Sequence, residues 1–370
     1  MNQHSLLSVS RKLRDLCGRY LKHNCACEPR RRPRTMPIPH LHSRLNLLRA
    51  GFPIRDRTRL FCSVVALLAL SLNSCGGGSA SPSRVPINTA TGWSDSPFIS
   101  GDGKRLYFMY SRWNFGPWIQ SAGAMPPVLT GPDRPGLNHN DTNAFDESDI
   151  YVATRNPDGR WSEPVNLGLN GAYGDASGME INGGNTFIWL QGNGTVNNIV
   201  MANRNMDGTW GPASDLGPLI NNHLTGVIQD NPHLSADGSA LWFTSNRAAG
   251  LGGKDIWFSS HSGGSWSSPV NAGPPIDTAG DEDQFWFSPA SLDLYWNGPT
   301  GLMHCISNGS SCSGTPDVVT IPGCTIAAEV SITDDGKTMY FGCGDPATGR
   351  VRIMYSQKQP GGWGTATPVD

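Results

Sequence analysis

The sequence predicts an all-β protein built as a five-bladed β-propeller, with four antiparallel strands in each blade. Three observations predict it. First, one phrase recurs: "PFISGDGKRLYF" from Pro97, "PHLSADGSALWF" from Pro232 and "VSITDDGKTMYF" from Val330. Each copy is an apolar stretch, an Asp-Gly turn and a second apolar stretch ending in Phe, which reads as strand, tight turn, strand. Second, two further strands follow at a repeat of about 40 to 55 residues, the spacing of a propeller blade. Third, charged residues make up only 16% of the 370 residues, whereas Gly and Pro total 73 and Trp twelve. Many corners and little charge suit short strands, and no long apolar stripe of helical period runs through the second half.

The blades begin near Asp95, near Asp175, at Asp230, at Asp283 and near Ala328. Third strands are "DIYVATR" from Asp149, "NIVMANR" from Asn198, "DIWFSS" from Asp255 and "RIMYSQ" from Arg352. Fourth strands carry Trp161, Trp210, Trp266 and Trp363. Blades two ("MEINGGNTFIWL") and four ("FWFSPASLDLYW") are degenerate but keep their strand pattern. The chain ends in a fourth strand, "WGTATPVD", and the body opens with "VPINTATGWSDSP". The internal joint "PVNAGPPIDTAGDEDQ" combines those two phrases, so the termini meet where an ordinary blade junction lies. A blade cannot bury both faces alone, so the ring must close. The alternative is six blades, the sixth hidden in the long insert 113–147.

The phrases "DGKRLYF", "TSNRAAGLGGKDIW" and W-x-x-P-V-N-x-G resemble the TolB-type (WD40-like) propeller repeat of bacterial envelope proteins. The resemblance spans 86–370 and implies a fold and a compartment. It does not imply an activity, since propellers host binding, scaffolding and hydrolysis.

The N-terminal fifth of the sequence supports the same compartment. Arg55, Arg57 and Arg59 precede an apolar run, Leu60 to Leu72, of signal-peptide length and too short to span a bilayer. It ends in "LNSC", which resembles the lipobox of bacterial lipoproteins and implies lipidation at Cys75. The expected organisation is an upstream or disordered segment at 1–54, a signal peptide at 55–74, a lipidated Cys and Gly/Ser tether at 75–85 and a propeller at 86–370. Membrane association then runs through the lipid, in the bacterial envelope and at the outer membrane. Cys75→Ala is expected to abolish lipid labelling and membrane fractionation.

Of 28 Lys+Arg and 30 Asp+Glu, residues 1–74 hold 14 and three, which leaves the body with 14 and 27, a net charge of −13. So acidic a body excludes nucleic acid as a partner. Cys17, Cys25, Cys27 and His23 match no zinc spacing. In the body, Cys305, Cys312, Cys324 and Cys343 form an even set in an exported chain. Of three connectivities, Cys305–Cys312 across a short hairpin is preferred, which leaves Cys324 with Cys343.

Topology places the working face. Loops that enter strand one and loops between strands two and three share one mouth of the channel. The Asp-Gly turns share the other. The first mouth then carries the insert, with Trp113, Phe115 and Trp118 as ligand-stacking candidates, and the loop from Arg247. It also carries an acidic ring: Asp95, Asp230 and Asp283 at the openings of inner strands, with Asp175 or Glu180 and Glu329 near equivalent places. Such acids either hold neighbouring backbone, bind a cation in the channel, or act as acid and base on a glycoside. His233 is the one histidine expected beside the channel. No metal site, cofactor, Gly-x-Ser-x-Gly, P-loop or His-Glu-x-x-His is found. The expected function is a non-enzymatic module that docks an envelope protein or a glycan. The alternatives are a glycoside hydrolase, by resemblance to five-bladed arabinanase-type enzymes, and a structural component of an outer-membrane complex.

Overall fold

A computed structural model describes residues 86–370 except 170, 172, 193–196, 289–290 and 308–310. The expectations for residues 1–85, including Cys75, lie outside the described residues. The body is a five-bladed propeller. Blade one consists of Trp93–Ile99, Arg105–Ser111, Asp149–Thr154 and Val165–Asn166, in that spatial order. Blade two is Gly174–Ile181, Thr186–Gly192, Asn197–Asn203 and Ser214–Asp215. Blade three opens with Gln229–Leu234, blade four with Asp283–Ser288 and blade five with Ile326–Ile332. These five first strands pack on one another in succession, and the first packs on the last, so they are innermost and the ring is closed.

Outer strands are broken where the sequence places Pro or Gly after the Trp. In blade three the outer edge is two pieces, Ser265–Trp266 and Val270–Asn271, both on Asp255–Ser262. Blade five does the same with Gly362–Trp363 and Thr367–Pro368. Pro cannot donate to the ladder, so a break at the exposed edge costs little. Blade four differs and keeps a continuous outer strand, Cys312–Val318, joined to Gly301–Ser307 by the Cys305–Cys312 disulfide. A second disulfide joins Cys324 and Cys343 in blade five.

The core lies between blades rather than at one centre. Phe98, Tyr107, Phe187, Trp189, Phe243 and Trp257 belong to one buried cluster across blades one to three. Ile99, Phe108, Tyr110, Tyr340, Ile353 and Val369 seal blade one against blade five. At about 2–3 kcal/mol for each large apolar side chain buried, these contacts dominate closure.

Polar clips add register. The side chain of Asn88 mimics a strand: its Nδ2 donates to the Ile353 carbonyl at 2.9 Å and its Oδ1 accepts from the Ile353 amide at 2.8 Å. Asn221 clips Ile199 in the same way, and Asp277 accepts from the Ile256 amide. The start of the body therefore locks onto blade five as ordinary junctions lock elsewhere.

The insert is no blade. It holds a two-residue hairpin, Trp113–Asn114 with Val128–Leu129, a helical turn Gly116–Gln120 and a 3-10 turn Ala144–Asp146.

Candidate binding site at the insert-bearing mouth

Each inner strand holds one residue more than its partner. Asp95 faces Met109 and Phe98 faces Tyr107, three steps against two. The same step recurs between Ala176 and Met179, Asp230 and His233, Asp283 and Trp286, and Ala328 and Ser331. This is one β-bulge repeated five times. The bulged residues Ser96, Ser177, Asn231, Gln284 and Glu329 have φ of 52°, 48°, 45°, 59° and 55°. That left-handed region costs a non-glycine residue about 1–2 kcal/mol.

All five line a central cavity of about 60 Å³, room for a few waters. Their side chains form a belt around it. Ser177 Oγ donates to Asn231 Oδ1 at 2.6 Å, and Asn231 Nδ2 donates to Asp283 Oδ1 at 2.6 Å. Gln284 Nε2 donates to Glu329 Oε1 at 3.0 Å. Glu329 Oε2 accepts the Ser96 amide at 2.7 Å, which carries the belt from blade five to blade one.

The carboxylates expected as a ring fall into two groups. Asp95, Asp230 and Asp283 precede bulged residues, and Glu329 is itself one. All but Asp230 are engaged beyond their own neighbour. Asp283 Oδ2 accepts Lys254 Nζ at 2.9 Å. Burial alone would depress Lys254, but Asp283 and Asp230 outweigh it and hold the ammonium above the ordinary lysine range. Burial, then Asp283, pushes Asp230 up to about 6. Burial, then the neighbouring Asp95 carboxyl, holds Glu329 well above the ordinary glutamate range. Trp93 Nε1 donates to Asp95 Oδ2 at 3.2 Å.

Glu180 is a correction. It lies at the far end of its strand, where Arg105 Nε at 2.9 Å and Tyr107 Oη at 2.5 Å donate to it across the blade one–two junction. Asp175 is also buried, with Trp189 Nε1 at 2.8 Å and Gln191 Nε2 at 2.9 Å.

His233, expected beside the channel, lines the central cavity, and it and Arg247, both candidate ligand residues, are packed against aromatic rings. The His233 ring sits 4.7 Å from that of Trp286, its Nε2 accepts the Phe287 amide at 3.4 Å, and burial pushes its pKa down to about 4. It is a neutral wedge between blades three and four. Arg247 lies 4.7 Å over the Phe243 ring and donates to the carbonyls of Leu219 and Ile220 at 3.0 and 2.5 Å. Arg134 repeats this on Tyr110, at 3.9 Å, with the carbonyls of Pro86 and Ile87. Both arginines therefore hold the segment that enters their blade.

The insert meets the ring at the acid-bearing mouth. Glu147, fully buried, accepts from the Arg112 Nε at 3.0 Å, from Arg112 Nη2 and from the Asn140 amide at 3.0 Å, and so pins the insert to blade one. Trp113 serves the insert itself: it pairs with Leu129, and its Nε1 reaches the Asn140 carbonyl at 3.3 Å. Phe115 and Trp118 face a pocket of about 280 Å³ whose lining also includes Trp93, Asp95, Ile119 and Phe145. The rings form a chain, Trp93–Phe115 at 5.7 Å, Phe115–Phe145 at 5.5 Å and Trp118–Phe145 at 5.6 Å. Trp118 and Phe145 remain 38% and 37% exposed, so aromatic surface is left for a ligand. Blade two closes the pocket with Ala176, Leu190 and Asn197.

Sequence reasoning missed Lys254, Phe145 and the bulged belt. The belt has a signal: in each repeat the residue after the first-strand Asp or Ala is polar, in "DSP", "ASG", "DNP", "DQF" and "AEV".

One group of residues outside the pocket has a metal-ligand donor set. Asp255, Asp277 and Glu282 are all buried, with carboxylate oxygens within 4.8 Å of one another. Each is anchored, by the Leu251, Ile256 and Thr278 amides respectively. Aligned by repeat, the preceding junction places Asn198, Asn221 and Gln229 at these positions. The fold therefore accepts neutral amides there. Burial, opposed by the Ile256 and Gly273 amides and helped by the neighbouring Asp255 and Glu282, pushes Asp277 up to about 7 from 3.8. A raised folded pKa contributes stability below the unfolded value that is lost as pH rises through the folded one. Asp277→Asn is therefore expected to leave stability at about pH 4 little changed and to raise it by about 1–3 kcal/mol at about pH 8 in the presence of EDTA. Urea denaturation at the two pH values checks this, and a loss at about pH 8 contradicts it.

No family model matches the chain, and no curated protein matches it. Solved structures do. Putative TolB from Agrobacterium tumefaciens is similar at 14% identity and TM-score 0.44, over 77% of this chain and 83% of that one. TolB from Acinetobacter baumannii is similar at 12% identity and TM-score 0.42, over 74% and 67%. A puromycin-hydrolyzing peptidase from Mycobacterium tuberculosis is similar at 15% identity and TM-score 0.38, over 77% of this chain but 39% of the peptidase. This chain is similar in structure to TolB-type propellers.

Proposed function

We propose that this is an envelope-anchored propeller that binds a protein or a glycan without transforming it, using the pocket between the insert and the inner strands of blades one and two. The observation that carries the reading is the contrast between two spaces at one mouth. The channel is filled by its own polar belt and leaves about 60 Å³. The insert pocket leaves about 280 Å³ walled by partly exposed aromatic rings. Pockets of this kind, mostly apolar with few polar groups, are where ligands bind.

Envelope anchoring rests on the apolar run Leu60–Leu72 followed by Cys75, and two disulfides in the body suit an oxidising compartment. The glycosidase reading has less support. A retaining pair needs carboxyl groups about 5–5.5 Å apart and an inverting pair more, with room for sugar and water between them. Here Glu329 is taken up by the Ser96 amide and hydroxyl and the Gln284 side chain, and Asp95 by Trp93 Nε1.

The test is a panel of nitrophenyl glycosides together with a glycan array. No turnover is expected from any glycoside. Turnover that disappears in Asp95→Asn would replace the binding reading with an enzymatic one.

A further inference from the structure

Resting on that reading, we infer that the insert pocket takes an alkylammonium group, presented as the lysine side chain of a protein partner. Three observations lead there. Asp95 is the one ionisable residue lining the pocket among the described residues, so the only full charge at its wall is negative. Four aromatic residues line it beside aliphatic ones, and Trp93, Phe115, Phe145 and Trp118 are linked ring to ring. Aromatic faces attract a cation through their quadrupole, and Trp does so best. The surroundings are acidic by a small margin: Asp133, Asp141, Asp146 and Glu147 of the insert stand against the buried Arg134 and against Arg112, which takes up Glu147 and Asp141.

A sugar fits this wall less well. Beside Asp95 the lining offers Ser148 and Asn197 as polar side chains, too few partners for a ring of hydroxyls that must shed water to enter. A lysine leaves only one polar group to satisfy and lays its methylenes along the rings. A protein, rather than a free amine, is the source because Ile119, Met125, Val128 and Leu129 stand exposed on the same insert. They give a partner backbone and its neighbouring side chains an apolar rim that a free amine cannot use.

The experiment follows the indole N–H signals of Trp93 and Trp118 by NMR while the purified protein is titrated with three probes. These are a leucine–lysine–leucine tripeptide, its norleucine counterpart and spermidine. Saturable shifts are expected with the lysine peptide, at an affinity about three- to thirtyfold above that of the norleucine peptide. Trp118→Ala and Asp95→Asn should each remove most of that preference. Trp118 lies on the exposed insert, so its variant remains informative if Asp95→Asn disturbs the belt. Equal binding of the two peptides overturns the ammonium assignment. Spermidine binding more tightly than the lysine peptide overturns the protein source. If none of the three shifts the indoles while a glycan does, the ammonium inference falls and the binding pocket stands. If no ligand of any class shifts them, both fall.

Discussion

Replacing Glu147 with alanine is expected to lower stability by about 3–5 kcal/mol, the largest effect of any single substitution considered. Glu147 has no exposed surface, and its two oxygens take up the Arg112 guanidinium, the Arg112 amide and the Asn140 amide. Arg112 is itself only 15% exposed and keeps one other acid, Asp141, which is 68% exposed and so a weak partner. Removing Glu147 leaves a largely buried guanidinium with Asp141 alone and leaves two amides without that acceptor. For a domain of this size the melting temperature should fall by roughly 10 °C. The pocket should lose its ligand as well, because Phe115, Trp118 and Phe145 all ride on the segment that Glu147 anchors. Thermal denaturation, with the insert tryptophans as the fluorescent probe, reads both. An unchanged melting temperature with new protease cleavage within 113–147 would show that the insert opens independently of the ring, contrary to this account.

Glu329 gives the second large effect, and it depends on pH. Glu329→Ala removes acceptors for the Ser96 amide, the Ser96 hydroxyl and the Gln284 amide, which lie on blades one and four. Leaving buried donors unsatisfied there should cost about 2–4 kcal/mol. Glu329→Gln keeps the shape and removes the ionisation. The folded pKa of Glu329 is raised, so its contribution is present below the unfolded value and is lost as pH rises through the folded one. The wild type should therefore weaken toward alkaline pH relative to Glu329→Gln, with the two most alike in acid. Chemical denaturation across pH measures the gap. A gap that widens toward acid instead would mean that Glu329 is held as a stabilised carboxylate.

The ring was legible in the sequence because each blade repeats a local code. The Asp-Gly turns, the paired apolar stretches and the outer Trp are set by neighbours a few residues away, and even blades two and four keep the alternation that strands need. The mouth chosen for the insert followed from connectivity alone. What stayed hidden is set at long range. Arg247 holds carbonyls 27 and 28 residues earlier, Glu180 meets Arg105 75 residues earlier, and His233 is wedged against a ring 53 residues later. No local pattern separates an arginine that clamps backbone from one that meets a ligand. Trp113 and Trp118 likewise read as equivalent aromatics, and only the path of the insert turns one into its hairpin and the other toward the pocket. The left-handed belt was written in the sequence as a polar residue at one fixed place in five repeats, but its meaning appears only once the bulge aligns those residues around the channel.

The central claim is that binding occurs at the insert-bearing mouth and not at the opposite one. Site-specific photo-crosslinking tests it most directly. A benzophenone amino acid is placed at Trp118 or Ile119 on the insert, and at Asp237 or Asp335 in the Asp-Gly turns, in the full chain expressed in its own cells. The account predicts a discrete crosslinked product from the two insert positions and none from the two turn positions. Products from Asp237 or Asp335 with none from Trp118 or Ile119 would contradict it.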